Sequence, residues 1–356
     1  KNLIPKILDN PLLKVFETPY QSIPFSKIRA EHFIPALKEN IKNALEAIDE
    51  VAHQTTTPTF ENTIEALQNT GELLERNSSI LFNLNSAETS DTIQKTTQKA
   101  STLLTKFQND VRLNQALFER IKTLYQNQGK EKLSAEQQTL LDKEYKGFAR
   151  NGALLNDEEK DLLREIDVEK AKLSLTFGEN VLADTHAFEL HIIEEKDLEG
   201  LPDQIKEMAE ETAQSKNKKG WVFTLDFPSY VPFMTYAKNR DLRKEFSLAF
   251  GKRGFQDNNN NNTDIILRLI ELRKKRAKLL GYDSHAAFVL EERMATSEEN
   301  VVAFLEDLYQ KTYPAAHGEW QEMEHFAKQN LGLNTLEKWD TAYVSEKLKK
   351  AQLNLD

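Results

Sequence analysis

The segment HGEWQEMEH, from His317 to His325, has the residue types that could hold a metal ion. On a continuous helix its two histidines lie two turns apart, roughly 12 Å along the axis, which is too far for both to bind one ion. Gln321 lies between them, but a neutral amide is a poor zinc ligand beside histidine or carboxylate. The remaining pair, Glu322 and His325, has an i, i+3 spacing that can contribute to a metal site between helices. A solvated polar helix face explains the same pattern, and we favour that interpretation.

The other five histidines do not have the spacing of a ligand set. His186 and His191 are five residues apart on a predicted strand, so their side chains point to opposite faces. His285 follows a predicted helix start, and His32 and His53 have no neighbours at metal-ligand spacing. None of the seven histidines begins a His-Glu-x-x-His motif, so we predict that this sequence contributes no metal ligand.

Other catalytic signatures are also missing from the sequence. The segment GKRG at Gly251 lacks the spacing and the Lys-Ser/Thr end of a phosphate-binding loop. There is no Gly-x-Ser-x-Gly nucleophile turn. Because the chain has no cysteine, disulfides, thiolate catalysis and cysteine-based zinc sites are excluded. We therefore predict that no residue of this chain is catalytic, cofactor-binding or metal-ligating.

The composition is that of an acidic, helix-rich globular protein. Hydrophobic residues make up 39% and charged residues 29% of the 356 residues, and there are only 12 Gly and 10 Pro. The net charge of −10 would repel phosphates, so we predict no nucleic-acid partner. No apolar run approaches the ~20 residues of a membrane span, so we predict no membrane partner.

The first part of the chain is predicted to be a stack of antiparallel helices. Apolar residues recur every three or four positions from Arg29 to Ala52. Helix-capping signals at Thr59, at Ser90 or Asp91, and at Ser134 begin further helices. Six such helices with short connections form a helical layer.

The pattern changes near Ala183. Inward and outward residues alternate in HAFELHII and again in WVFTL, which predicts two short strands near 187–193 and 221–226. The direction of their pairing stays open. We therefore predict a mainly α fold with a small two-strand element, divided into a helical region, 1–183, and a second region, 184–356.

The central stretch supplies further expectations. The run WVFTLDFPSYVPFM indicates a strand-like segment that its prolines break. The five asparagines from Asn258 to Asn262 indicate a flexible polar loop. In the helix that follows, a buried stripe is predicted beside a solvated basic face. The stripe consists of Ile266, Leu269, Ile270, Arg273, Ala277 and Leu280. Pro314 is expected to kink or interrupt a later helix.

The order of residues in this stretch resembles a known family. RLIELRKKRAKLLGYDSHAAFVLEERMA, preceded by LDFPSYVPFMTYAKNRDLRKEF, resembles the middle of the thimet-oligopeptidase family of zinc metallopeptidases. PFSKIRAEHFIPALKENI, PTFENTIEALQNTGELLERNSSILFNLNSAETSD and WDTAYVSEKLKKAQLNLD resemble it in the same order. The resemblance therefore covers nearly the whole chain. Within the family it is most similar to the bacterial peptidyl-dipeptidase branch, Dcp, and second to the oligopeptidase A branch.

The resemblance implies a mostly helical, two-lobed protein with a deep cleft that admits short peptides. It also implies zinc, held by His-Glu-x-x-His and a downstream Glu, that activates water for hydrolysis. Because that motif is missing, we expect it beyond Asp356, and we expect zinc in the full-length parent and none in this part. The chain is then the amino-terminal, non-catalytic lobe of a peptidyl-dipeptidase or oligopeptidase and forms one wall of the cleft.

An alternative from another class is a non-enzymatic helical scaffold or binding module, which the missing catalytic set favours. If a second lobe is missing, apolar surface should be exposed, so we also expect self-association. The lack of cysteine favours a cytoplasmic location, while a periplasmic or exported one stays open because the chain begins without Met. The sequence does not distinguish dipeptide release from internal cleavage.

Overall fold

The computed structural model describes residues 10–127 and 132–353. These residues are mainly helical and include one pair of short strands, which confirms the predicted fold class. The chain forms two compact units: the first extends to Leu175 and includes Arg268–Phe288, and the second comprises Thr176–Leu267 and the chain from Val289. The division predicted after residue 183 stays a prediction about domain organisation.

The helices that begin at Asp91 and Ala135 follow capping residues that the sequence predicts. Ser90 accepts a hydrogen bond from the Ile93 amide, and Ser134 and Gln137 form the expected capping box. Gly71, at φ 86°, separates a π-helical turn, Phe60–Glu65 with its continuation Ala66–Gln68, from the next helix. The helices are α1 (Ala30–Ala52), α2 (Glu72–Ala87), α3 (Asp91–Arg112), α4 (Gln115–Gln126), α5 (Ala135–Phe148) and α6 (Asp157–Ala187).

Two clusters of buried apolar side chains form the core of the first unit. One contains Phe33 and Leu37 of α1 with Leu81 of α2. The other contains Phe118 of α4 and Phe148 of α5, whose rings stack with centroids 6.4 Å apart. Each fully buried side chain of this size contributes about 1.5–3 kcal/mol to folding.

The remaining chain begins with the predicted strands and continues as helices. Its elements are β1 (Glu189–Ile192), α7 (Asp203–Ser215), β2 (Trp221–Thr224), α8 (Phe227–Tyr236), α9 (Arg240–Gly251), α10 (Thr263–Leu279), α11 (His285–Leu290), α12 (Glu298–Leu331) and α13 (Thr341–Leu353).

The two strands pair antiparallel, with Leu190 opposite Phe223, which settles the direction that the sequence left open. Leu190 and Ile192 are buried and His191 is exposed, as the alternation predicts. The buried face continues into a cluster that contains Phe233 of α8 and Phe246 of α9, whose rings meet edge to face at 5.1 Å.

The strand-like interpretation of the segment after β2 was wrong, and so was the expected interruption at Pro314; the other alternative there, a kink, stays a prediction. The segment after β2 is not strand-like but is helix α8, in which Pro228 occupies the first turn, where its missing N–H is not needed, and Pro232 lies inside. Helix α12 runs without interruption through Pro314, so the proline does not divide it. Within the described ranges, no helix is both long and apolar enough to cross a membrane.

The predicted stripe of α10 was also partly wrong. Its buried residues are Leu269, Leu272, Arg276 and Ala277. Ile266 and Ile270, which the stripe predicted to be packed, are 42% and 57% exposed. Arg276 is buried and is therefore not part of a solvated basic face.

Candidate functional site

Asp340 is the centre of a buried ion cluster in the second unit. It ends the short 3₁₀ turn Lys338–Asp340 that leads into α13, and its side chain is fully buried. Arg240 and Arg243 reach it from the first turn of α9, because an i, i+3 spacing places both on one helix face. Arg240 binds both carboxylate oxygens, with Nη2 2.7 Å from Oδ2, and Arg243 Nη2 donates to Oδ1 at 2.8 Å.

Arg243 is itself 1% exposed, and every part of its guanidinium has a partner. Its Nε donates to the Trp339 carbonyl at 3.1 Å and its Nη1 to the Ala237 carbonyl at 2.7 Å. Its guanidinium lies 4.1 Å from the ring centroid of Tyr343. Burial opposes the charge on Asp340, but the hydrogen bonds from the arginines outweigh it and hold the pKa of this carboxyl below its ordinary value.

Asp184 is a second buried carboxylate of the same unit, and only neutral groups bind it. It lies in the last turn of α6 and is 2% exposed. The Gly254 amide donates to Oδ2 at 2.7 Å, and the side chains of Asn258 and Asn260 donate to Oδ1 at 3.0 and 2.8 Å. Gln256 adds a fourth bond at 3.2 Å. Burial would raise the pKa of Asp184, but these donors outweigh it and lower the pKa.

The asparagine run is therefore an ordered part of the structure, although the sequence favoured a flexible loop. Asn262 is 1% exposed and receives a hydrogen bond from Asn180 at 2.8 Å. Gly254 adopts φ +68°, and a Cβ there would lie 2.7 Å from Asn262 Nδ2, so this close approach requires glycine. Asn258, Asn260 and Asn262 form hydrogen bonds with α6, and Asn261 donates to the Gln256 carbonyl within the loop. The composition alone did not indicate these bonds.

A second ion cluster lies in the first unit. Arg276 of α10 donates from Nε to Asp167 of α6 at 2.8 Å and from Nη2 to Asn151 at 3.0 Å. Lys170 donates to the same Asp167 oxygen at 3.0 Å. Burial is the largest cause that lowers the pKa of His285, and nearby cations, including Arg276, lower it further. The cluster fastens α10 to α6, and Asp167 bonds with both of these cations.

The residues weighed as metal ligands do not come together. Glu322 and His325 lie on an exposed face of α12, and Glu322 accepts a hydrogen bond from Gln352 at 2.5 Å. His191 Nε2 contacts the Lys219 carbonyl at 2.7 Å, and His32 Nδ1 accepts from the Arg29 amide at 3.0 Å. His186 and His53 are exposed, and His285 is half-buried.

A structural zinc site has four ligands and a catalytic one has three protein ligands. Among residues 10–127 and 132–353, no group of three or more His, Asp or Glu side chains could hold a metal ion. The described residues therefore do not fit zinc. That the chain contributes no catalytic or metal-binding residue stays a prediction.

Three carboxylates are each held by several hydrogen bonds. Buried Asp340 and Asp184 and partly buried Asp167 each accept bonds from two or more donors. These three clusters join segments distant in the chain. One of them joins two segments that carry the family resemblance, because Arg240 and Arg243 in NRDLRKEF meet Asp340 in WDTAYVSEKL.

Two protein-family models match the chain. The model of the neurolysin and thimet oligopeptidase N-terminal domain matches residues 34–160, and the model of peptidase family M3 matches residues 233–356. Together the two matches cover more than half of the chain.

Curated proteins similar to the chain carry peptidase names. Oligopeptidase A of Escherichia coli K12 is 30% identical over 96% of this chain and 50% of its own length. Dipeptidyl carboxypeptidase of Salmonella typhimurium LT2 is 28% identical over 98% of this chain and 51% of its own length. The organellar oligopeptidase A of Arabidopsis thaliana is 30% identical over 98% of this chain and 44% of its own length.

The sequence suggested that the chain is most similar to the peptidyl-dipeptidase branch and second to the oligopeptidase A branch. These identities do not favour that order. The chain spans about half the length of the curated relatives that it matches. Both family models match in the order in which the resembling segments occur, and relatives of both named types cover nearly the whole chain. The chain belongs to peptidase family M3, the family of the thimet oligopeptidases.

Proposed function

We propose that this chain is the amino-terminal, non-catalytic part of a zinc-dependent oligopeptidase or peptidyl-dipeptidase that hydrolyses short peptides, and that it forms one wall of the substrate cleft. The observation that carries the proposal is the pair of matches to family models: an N-terminal domain model at 34–160 is followed by a peptidase model at 233–356. The chain matches about half the length of the relatives named oligopeptidase and dipeptidyl carboxypeptidase.

The surface of α12 supports a larger parent protein. Its first half exposes six large apolar side chains, whereas its second half packs Ala327 against α13. Large apolar side chains exposed together on one helix often meet another part of a protein. The exposed residues are Val302, Phe304, Leu305, Leu308, Tyr309 and Tyr313. In the proposal the remainder of the parent covers this face. Self-association of the chain by itself through the same face, and a cytoplasmic location, stay predictions.

The proposal assigns no chemical step to this chain. Because Glu322 and His325 do not fit zinc, the metal and the groups that activate water belong to the rest of the parent. The contribution of this chain is rigid support: the ion clusters at Asp340 and Asp167 fasten helices that were distant in sequence. Rigid positioning of this kind is what a cleft that selects short peptides requires.

The test compares this chain with a protein made from the continued reading frame. We expect the chain alone to retain no stoichiometric zinc after dialysis and to cleave no short peptide, and the longer protein to do both. Metal analysis and mass spectrometry of a digested model peptide measure the two properties. Zinc retained by the chain alone together with peptidase activity would contradict the non-catalytic role. A reading frame that stops at once would instead favour the scaffold or binding module.

A further inference from the structure

Three positively charged side chains of the first unit lie close together around His285 of α11. They are Lys170 of α6 and Arg273 and Arg276 of α10. An i, i+3 spacing places the two arginines on one face of α10. Lys170 Nζ and Arg276 Nε both donate to Asp167 Oδ1, at 3.0 and 2.8 Å, so two of the three cations share a single carboxylate oxygen.

One carboxylate does not balance these charges. Lys170, Arg273 and Arg276 carry three positive charges and Asp167 carries one negative charge, which leaves an excess of two positive charges. The other group that Arg276 binds is neutral, because its Nη2 donates to the Asn151 side chain at 3.0 Å. Within residues 10–127 and 132–353, Arg273 has no ion-pair partner. Like charges held near one another repel, so an anion among them would be attracted by all three.

The other carboxylates near these residues in the sequence have cations of their own. Each accepts an ion pair from a lysine or arginine outside the cluster, so none of them supplies the missing negative charge. The pairs are Glu169 with Arg268, Glu271 with Arg268 and Lys275, and Asp283 with Lys278.

His285 reports the same excess. Its half-buried ring lies beside the Phe288 ring, with centroids 6.4 Å apart, and the Arg276 guanidinium lies 5.1 Å from the centroid of Phe288. After burial, the charges that lower the pKa of His285 are those of Arg273, Lys170 and Arg276, and no carboxylate of the described residues raises it. The imidazole is therefore mainly uncharged at neutral pH, because its surroundings have too few anions to favour the charged form.

The cluster is open to a small anion. Arg273 is exposed and the Lys170 side chain is 28% exposed, whereas the Arg276 side chain is 10% exposed and held in place by Asp167. The net charge of −10 opposes a polyanion, which would experience the field of the whole chain. Screening limits that field to about 8 Å in physiological salt, so a small anion experiences mainly the local positive charge.

We propose that Lys170, Arg273 and Arg276 bind one inorganic phosphate dianion beside His285. The dianion matches the excess of two positive charges, and its oxygens accept the charged N–H groups that arginine and lysine present to oxyanions. Lys170 and Arg276 can keep their bonds to Asp167, because an ammonium has three N–H donors and a guanidinium has five. The proposal is independent of the proposed function, because neither a peptide nor zinc takes part.

The first experiment follows the histidine ring protons of the full chain by NMR, in sodium phosphate and in sodium chloride of equal ionic strength. His285→Gln assigns the signal of His285 by its loss. We expect phosphate to raise the pKa of His285, because a bound anion favours the imidazolium form. The other six histidines are internal controls, and their signals should be the same in both salts. An unchanged titration of His285, or an equal change at every histidine, would overturn the proposal.

Variants locate the anion by calorimetric titration with phosphate. Arg273→Ala, at an exposed position, should weaken binding about tenfold, which is the expected loss for one charged hydrogen bond. Asn151→Asp should also weaken it, because a fixed carboxylate would then lie beside Arg276. Lys274→Ala removes the same charge from the next, exposed position of α10 and is the matched control, because Lys274 is not among the cations that lower the pKa of His285. Phosphate binding that Arg273→Ala leaves unchanged, or that Lys274→Ala weakens equally, would overturn the proposal.

Discussion

Asp340 and Asp184 are both buried carboxylates of the second unit, yet the structure compensates their charges differently. Asp340 meets two arginines, one of which is as buried as the carboxylate itself. Asp184 meets one backbone amide and three side-chain amides, none of them charged. The comparison shows two ways to compensate the charge of a buried carboxylate. One is a counterion, as at Asp340, and the other is a set of neutral hydrogen-bond donors, as at Asp184.

The two solutions differ in what remains when the carboxylate is removed. At Asp340 the removal leaves Arg243 as a buried cation without a counterion, and desolvated unpaired charges are very costly. At Asp184 the removal leaves neutral donors without an acceptor. Unpaired neutral donors cost less free energy than an unpaired charge, and they can rearrange toward water. The ion cluster should therefore be the more fragile of the two.

The largest expected effect is that of Asp340→Ala. We expect it to lower the free energy of unfolding by about 3–5 kcal/mol, because Arg243 would lose its partner in a buried site. Urea denaturation measures the change. Arg240→Ala is the matched control and should cost less, because Arg240 is 37% exposed and water can replace it. A smaller loss for Asp340→Ala than for Asp184→Ala would contradict the comparison.

An intermediate effect is expected from acid. The pKa values of both carboxyls are lowered on folding, so their contribution is fully present above the unfolded pKa of about 3.9 and is lost as pH falls through the folded values. Unfolding free energies measured from pH 6 downward should fall below about pH 4. Asp184→Asn and Asp340→Asn should each flatten this dependence. A slope that neither variant changes would show that the two sites do not contribute.

The smallest expected effect tests the loop. Asn260→Ala should lower the free energy of unfolding by about 1 kcal/mol, because one hydrogen bond to buried Asp184 is lost. Its neighbour Asn259 is exposed and should tolerate the same substitution within about 0.5 kcal/mol. Thermal or urea unfolding of the two variants measures the difference. Equal losses of unfolding free energy in the two variants would mean that the asparagine run stabilises the fold through its backbone conformation and not through hydrogen bonds to Asp184.

Much of the fold could be predicted from the sequence because local signals coincide with the structure. The capping box at Ser134 and the alternation around Leu190 predicted a helix start and a strand that the structure confirms. The two failures at proline differ. Pro232 lies beside buried Phe233 and Met234, and a local propensity carries no information about such packing. Helix α12 continues through Pro314 although the residues around it are exposed, and nothing in the structure explains this.

The candidate site could be predicted less well. The sequence correctly indicated the family, since long ordered segments such as RLIELRKKRAKLLGYDSHAAF carry more information than any short motif. It did not indicate that Arg276 is buried against Asp167, 109 residues away, or that the asparagine run binds Asp184. A lysine or arginine in a basic run is usually solvated. It is buried only where a partner distant in the sequence, such as Asp167, compensates its charge.

The sequence by itself determined the helical class, the strand pair and the family, because periodicity, caps and residue order are properties of neighbouring positions. The tertiary structure alone decided which charged residues are buried, which donors hold Asp184 and Asp340, and which cations lie around His285. The physical reason is that burying a charge is favourable only when groups distant in the chain converge on it, and such convergence exists only after folding.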